Sequence, residues 1–423
     1  MMISKDAFYK GMVFLISNII NAAIPFLLLP ILTRFLSPAD YGIVTMFATI
    51  LSLIGAFVGL SVHGAINVAY FKLSRDEFAE YVTSCIILLI VSAASVFVIV
   101  YLFGGYFEKI TGLSHKWMLI AVLVSFFQFF INIRLTIWIV TGYAKQYGFF
   151  QVSQTTANAI LSLFFVIIAG FSWEGRLLGQ TIAVVFFGFL AVFLIYKAGH
   201  LKWPKNKILY CKDAIKFGLP LIPHVIGSFV MYNTDRIIIS NVLDMTSIGI
   251  YAVGLQLGQA MGLASDSFNK VYAPWLMKNL SDKRIDRNKI ILNTYISMCL
   301  LVLGGVLWFF IAGFLLKHLF GNEFQSAREI LIYTCLGFSV TGLYYLVTNY
   351  VFYVQKTKYL VFITFFCGLL NIPMTYFSVF NFGIVGAAAS FFIVQLIFFM
   401  STWILAARLF PMPWFSFLKV KNA

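Results

Sequence analysis

Long apolar segments separated by short polar stretches run along the whole chain. Each apolar segment is long enough to cross a bilayer as a helix, which needs about 20 mainly apolar residues. The pattern therefore predicts an all-α polytopic membrane protein with about twelve transmembrane helices and no soluble domain. The predicted spans are 11–32, 42–66, 82–103, 117–141, 150–171, 177–196, 217–239, 248–270, 290–312, 329–352, 359–378 and 384–407.

An internal repeat divides these spans into two sets of six. Several residues recur 207 positions later in the chain, and one constant offset relates all of them. The matched positions are Asp6/Asp213, Gly42/Gly249, Thr141/Thr348 and Gly179/Gly386. With six spans in each half, both halves begin on the same side of the membrane, so the repeat is parallel. We predict an N-terminal six-helix lobe over residues 1–205 and a C-terminal six-helix lobe over residues 206–423, with a cleft between them.

Composition and charge agree with a membrane protein. Only 11% of the residues are charged, whereas about a quarter are charged in a typical soluble domain. The net charge is +15, and most of the 30 Lys and Arg residues fall on one side of the predicted spans. Positive residues hold loops in the cytoplasm, so both termini are predicted to be cytoplasmic. We expect this charge to face anionic lipids and not nucleic acid.

The sequence contains no recognisable catalytic set. The five histidines are scattered and none has the spacing of metal ligands. No nucleophile elbow and no phosphate-binding loop is present. We therefore expect neither an enzyme, nor a metal, nor a cofactor, and transport would be driven by a gradient or by mass action.

Charged residues within the spans are the best candidates for function, because a charge in hydrocarbon is costly. Arg134 lies about 10 Å inside the fourth span at 1.5 Å per residue, where it either reaches the inner head groups or contacts an anion in a cleft. Asp235 and Arg236 lie near the outer end of the seventh span. Neighbouring residues point about 100° apart on a helix, so a simple mutual pair is not expected there. Asp266 and Lys270 have the i,i+4 spacing of a local ion pair.

Uncharged polar residues form stripes at helical spacing on several spans. Such stripes either join helices or line a hydrated cavity that could bind sugar hydroxyl groups. The stripe on the fifth span consists of Gln151, Gln154, Thr155, Asn158 and Ser162.

Several local motifs are similar to those of a known family. The segment 34–42 resembles the R-x-L-x-x-x-x-[YF]-G signature of polysaccharide exporters, and a matching signature follows in the second half. The remaining motifs are Asp235-Arg236-Ile237-Ile238-Ile239, Gly249-Ile250-Tyr251, Lys145 with Asn158, and Lys358 with Asn371. Over essentially its whole length the chain resembles Wzx-type flippases of O-antigen and capsule repeat units, in the multidrug/oligosaccharidyl-lipid/polysaccharide exporter superfamily.

The resemblance implies a MATE-like fold in a bacterial inner membrane. It also implies movement of an undecaprenyl-diphosphate-linked oligosaccharide from the cytoplasmic to the periplasmic leaflet by alternating access, coupled to an ion gradient of H⁺ or Na⁺. Members of this superfamily tend to have a cationic cleft, which suits a diphosphate. The residues expected to bind the substrate are Arg134, Arg34, Arg236, Asp235, Lys270 and Asn158.

Three alternatives remain at this stage. The first is a flippase for another cell-wall lipid precursor, and the second is a MATE-like drug or cation antiporter. An antiporter for cationic drugs should have acidic residues in the middle of the membrane, and the sequence places none there. The third is a membrane glycosyltransferase or polymerase, which would be expected to have a large outer loop or a set of catalytic carboxylates.

Overall fold

The computed structural model describes residues 5–282 and 286–414, and nearly all of them lie in helices. Residues 1–4, 283–285 and 415–423, which include the two chain ends predicted to be cytoplasmic, lie outside the described residues. The helices are α1 (Lys5–Phe35), α2 (Pro38–Gly59), α3 (Val62–Tyr70), α4 (Arg75–Thr111), α5 (His115–Thr141), α6 (Ala144–Leu163), α7 (Ser172–Lys197), α8 (Lys207–Gly218), α9 (Ile222–Val242), α10 (Met245–Ser281), α11 (Arg287–Leu319), α12 (Arg328–Tyr353) and α13 (Lys358–Leu409).

These helices account for the predicted spans. Within the described ranges, nine helices are long and apolar enough to cross a membrane, or ten if α8 and α9, which meet at a 45° bend, form one span. Helix α13 covers the last two predicted spans, and its backbone leaves helical geometry at Gly383. Helix α10 covers the eighth span, but Gln256 and Gln259 make it less apolar. The prediction of an all-α multi-pass membrane protein is confirmed.

The helices form two compact units, Met1–Phe229 and Val230–Ala423. Helix α8 belongs to the first unit because it packs against α3 and α4. One specific contact is a hydrogen bond of 2.9 Å that the Tyr81 hydroxyl donates to Asp213. This division by packing falls later in the chain than residue 205, and the lobe boundary at 205/206 stays a prediction.

Helix α5 is the centre of the first unit. It packs against α2, α4 and α7, and its buried side chains include Phe127, Phe130 and Ile133. Gly188 of α7 permits a close approach, since a Cβ there would lie 2.6 Å from the Phe127 ring. This packing holds α5 and α7 side by side, so Arg134 and Lys197 lie towards the same end of the unit.

Helix α12 has the same central place in the second unit. It packs against α10, α11 and α13. The Thr334 hydroxyl donates a hydrogen bond of 3.1 Å to the Gly254 carbonyl of α10. A Cβ at Gly258 would lie 2.7 Å from Thr334, so a small residue is needed at this crossing. The core of the second unit is thus fixed by small residues and buried hydroxyl groups.

Candidate functional site

Arg134 is a buried cation for which the described residues provide no counter-ion. The residue is only 7% exposed, and its guanidinium carbon lies 4.2 Å from the centre of the Trp138 ring, one turn further along α5. Its Nε has no hydrogen-bond partner among the described residues, and no described carboxylate forms an ion pair with it. A buried charge is normally paired, so Arg134 is the first candidate for contact with an anion.

A cavity of about 960 Å³ lies beside Arg134. We call it the basic cavity. Arg75 enters it from the first residue of α4, and Lys197 enters it from the last residue of α7. Three basic side chains therefore line it, and no described lining residue is a carboxylate. The lining residues are Tyr70, Leu73, Arg75, Phe78, Arg134, Ile137, Trp138, Thr141, Tyr143, Gln146, Leu194, Lys197, Ala198 and His200.

The start of α4 is fixed by a capping box. The Ser74 backbone N–H donates to the Glu77 carboxylate at 2.9 Å, and the Glu77 N–H donates to the Ser74 hydroxyl at 3.4 Å. These bonds satisfy two backbone donors that the first turn of a helix leaves free. The helix therefore begins at Arg75, and Phe78, one turn on, also lines the basic cavity.

The end of α7 is fixed by a Schellman turn. Gly199 has a φ of 73°, in the left-handed region that favours glycine. Its N–H donates to the Tyr196 carbonyl at 2.9 Å, and the His200 N–H donates to the Ile195 carbonyl at 3.2 Å. The turn directs the chain back over the end of the bundle, where the His200 ring meets the Phe78 ring edge-on at 5.6 Å.

Asp235 and Arg236 form a direct ion pair, so the prediction that they would not pair is wrong. The Arg236 Nη1 lies 3.1 Å from the Asp235 Oδ1. The arginine side chain is long enough to fold back along its own helix, and the same nitrogen donates to the Tyr232 carbonyl and the Asn233 side chain. Asp235 also accepts a hydrogen bond from the buried Tyr251 hydroxyl. The charge of Arg236 is thus neutralised within α9.

Lys270 and Arg34 lie at exposed positions. Lys270 Nζ is 2.7 Å from the Asp266 carboxylate, and both side chains are about half exposed or more. The predicted i,i+4 ion pair is confirmed. Arg34 is exposed in the last turn of α1. The structure places neither of these two cations among the residues that line the basic cavity.

Asn158 holds a second arginine of the first unit. Arg176 of α7 donates to the Asn158 side chain at 2.9 Å and to the Ser162 hydroxyl at 3.0 Å. The same polar stripe joins α6 to α1, since Thr155 is hydrogen-bonded to Asn21. In the structure the stripe joins helices, and Asn158 positions Arg176.

The sequence reading also missed Arg75, Lys197 and His200 as partners of Arg134. Arg75 and Lys197 lie at helix ends and His200 lies in the connection after α7, on the side predicted to be cytoplasmic. The number of predicted spans between these residues places them at the same end of the bundle as Arg134, and this was the signal that could have identified them.

Among the described residues, no group of three or more His, Cys, Asp or Glu side chains could hold a metal.

Comparison with known proteins gives consistent matches. The family described as "Polysaccharide biosynthesis protein" matches residues 8–280. The capsular polysaccharide biosynthesis protein CapF of Staphylococcus aureus is 24% identical over 413 residues, covering 93% of this chain and 98% of CapF. The lipid II flippase MurJ has a similar fold, with a TM-score of 0.73 at 15% identity, covering 95% of this chain and 87% of that one. A multidrug resistance MATE family transporter gives 0.70 at 14% identity, covering 96% of both chains.

Proposed function

Because the chain belongs to the polysaccharide biosynthesis protein family, we propose that it moves an undecaprenyl-diphosphate-linked oligosaccharide across a bacterial inner membrane. The cargo is an O-antigen or capsule repeat unit, carried from the cytoplasmic to the periplasmic leaflet by alternating access. Both termini are cytoplasmic, which places the basic cavity at the cytoplasmic end. The name of the relative CapF, a capsular polysaccharide biosynthesis protein, supports this class of cargo.

The observation that carries this proposal is the unpaired Arg134 in the basic cavity. A diphosphate that leaves water must exchange its hydration for charge-assisted hydrogen bonds. Arg134 offers a planar fork that can bind two phosphate oxygens at once, and its stacking on Trp138 orients the plane of that fork. Arg75 and Lys197 add two charges at the mouth of the same cavity. The head group of a diphosphate lipid fits this arrangement in charge.

The same chemistry would suit another cell-wall precursor that carries a diphosphate, and the fold likeness to the lipid II flippase MurJ keeps that cargo as the second candidate. The two candidates differ in the sugar and share the head group. A cationic drug fits poorly, because three cations and no described carboxylate line the basic cavity. We further propose coupling to an H⁺ or Na⁺ gradient, and contact between the basic loops and anionic lipids.

The test of this proposal is glycan export by variants of Arg134. Arg134→Ala should reduce export strongly in a flippase-null strain with a defined glycan, because a hydrogen bond to a charged group contributes about 1.5–3 kcal/mol, or about tenfold to a hundredfold in affinity. Arg134→Lys should retain part of the activity, because the charge remains and the fork does not. Arg408→Ala, in the last turn of α13, is the control, and insertion is checked by the membrane level of each variant. Export at the wild-type level by Arg134→Ala would contradict the proposal.

A further inference from the structure

Among the described residues that line the basic cavity, His200 is the one that can change its charge near neutral pH. Its Nδ1 is buried and has no hydrogen-bond partner in the described parts of the chain. The Schellman turn at Gly199 fixes its backbone, and the edge-on contact with Phe78 fixes its ring. The imidazole is therefore held in one place at the wall of the cavity with an unused nitrogen.

The charged side chains that line the basic cavity together with His200 are positive. Arg75 approaches from α4, Arg134 from α5 and Lys197 from α7. Burial, together with the charges of Arg134 and Arg75, lowers the pKa of His200 below its usual value. In the empty cavity the imidazole is therefore neutral at neutral pH.

The nearby carboxylates of α4 are held by other groups. They bind backbone donors or a lysine of the segment that follows His200, so they do not offset the cations of the cavity. The contacts are Asp76 to the Lys202 ammonium at 2.9 Å, Glu77 to the Ser74 N–H at 2.9 Å and Glu80 to the Lys205 N–H at 3.0 Å.

We infer that His200 is a proton-binding ligand of the anionic head group, so that entry of a diphosphate into the basic cavity draws a proton onto its imidazole. The inference rests on the proposed function, because it assigns a role within the same site. The two phosphate charges offset Arg134 and Arg75 and attract the imidazolium form, which can then donate to a phosphate oxygen. When the head group leaves this end of the protein, the proton returns to the side from which it came. His200 therefore strengthens binding of the substrate but does not move a proton across the membrane.

The direction of the pH dependence follows from this linkage. The pKa of His200 is low in the empty protein and higher with the head group bound. Between these two values binding takes up a proton, so affinity falls as the pH rises, by up to about tenfold per pH unit. Below the lower value His200 is charged in both states, and above the upper value it is neutral in both. In each of those ranges affinity stops changing with pH.

The experiment measures binding of a short-chain polyprenyl-diphosphoryl-N-acetylglucosamine to the purified full-length protein between pH 5.5 and 8. This probe is a diphosphate diester and lacks the second phosphate ionisation, near pH 6, of a monoester. Calorimetry in two buffers of different ionisation enthalpy counts the protons taken up. The wild type should bind more weakly as the pH rises and take up part of one proton per probe near neutral pH.

Two variants separate charge from packing. His200→Gln should bind at every pH as weakly as the wild type does at high pH, with no proton uptake. His200→Arg should bind at every pH as tightly as the wild type does at low pH, because its charge is permanent. His318→Gln, in the last turn of α11, is the control and should keep the wild-type profile.

Three results would overturn the inference. In the first, His200→Gln keeps the wild-type pH dependence. In the second, His200→Gln lowers the affinity by the same factor at every pH, which would make His200 a packing residue. In the third, wild-type binding depends on Arg134 but not on pH, and the proposed function survives alone. If the wild type binds no probe at any pH, the proposed function fails and this inference fails with it.

Discussion

Arg134 of the first unit and Arg236 of the second unit both lie within the apolar helices, but their surroundings differ. Arg236 of the second unit lies 3.1 Å from Asp235, which also accepts from Tyr251. Arg134 of the first unit has no such partner in the described chain and lies beside the basic cavity. Arg236 is therefore neutralised by a neighbouring carboxylate, whereas Arg134 keeps a charge that no described residue pairs with.

A charge within a span is a candidate ligand only when it has no partner in the protein. A paired charge has already recovered its lost hydration from its neighbour. An unpaired one stays costly until an anion arrives, so binding of that anion recovers more free energy. By this criterion we propose Arg134 as the substrate ligand, and Arg236 as a residue that acts mainly in the structure of α9.

The largest expected effect is loss of stability when the pair in the second unit is broken. Asp235→Ala leaves Arg236 buried without its partner, and removing one member of a buried pair costs about 3–5 kcal/mol. Thermal unfolding in detergent should show a clearly lower Tm. Asp266→Ala breaks the exposed pair with Lys270 and serves as the matched control, with an effect below about 1 kcal/mol. Equal Tm values for the two variants would remove the distinction between buried and exposed pairs.

A carboxylate introduced into the basic cavity should pair with Arg134, as Asp235 pairs with Arg236 in the second unit. Gln146 lines this cavity, and Gln146→Glu would give Arg134 a competing internal anion. We expect probe affinity to fall about tenfold, equivalent to about 1.4 kcal/mol, in the binding assay described above. Asn381→Asp adds the same charge to α13 in the second unit and should leave binding unchanged. Unaltered binding by Gln146→Glu would show that the cavity charge does not attract the probe.

A smaller effect on probe binding is expected at the turn that positions His200. Gly199→Ala places a side chain at a φ of 73°, which costs about 1–2 kcal/mol per residue in the left-handed region. Gly170 has a φ of 71° in the connection before α7, and a Cβ at either glycine meets open space. Both alanine variants should therefore lose similar stability, but only Gly199→Ala should flatten the pH dependence of binding. An identical pH profile for the two variants would show that His200 does not contribute to the pH dependence of binding.

Much of the fold could be predicted from the sequence, because membrane spans are read from apolar length alone. The resemblance to polysaccharide exporters, inferred from motifs such as the segment 34–42, is confirmed by the family match over residues 8–280. The expectation of a transporter class and not an enzyme agrees with that family. The eighth span, 248–270, was also predicted at α10, although Gln256 and Gln259 lower the apolarity of this helix, whose buried face packs against α12.

The site could be predicted only in part. Arg134 stood out because it lies deep in a span, whereas Arg75 and Lys197 lie at helix ends, where charges are ordinary. Their convergence depends on how α4, α5 and α7 pack, which periodicity does not reveal. The prediction that Asp235 and Arg236 would not pair was wrong because it considered only the angle between neighbouring Cβ atoms. The long, flexible arginine side chain can still reach the adjacent carboxylate. The other predicted substrate contacts, at Arg34, Asn158 and Lys270, stay predictions.

The most direct test compares the two arginines in one binding measurement. Equilibrium affinity for the polyprenyl-diphosphoryl probe is determined at fixed pH and salt for the wild type, for Arg134→Ala, and for a variant that removes the other pair whole, Asp235→Asn with Arg236→Gln. Removing both members of the pair leaves no unpaired buried charge, so this variant should remain folded. We expect Arg134→Ala to lose at least about tenfold in affinity and the pair variant to bind as the wild type does. Wild-type affinity in Arg134→Ala, or an equal loss in both variants, would contradict the assignment of the diphosphate to the basic cavity.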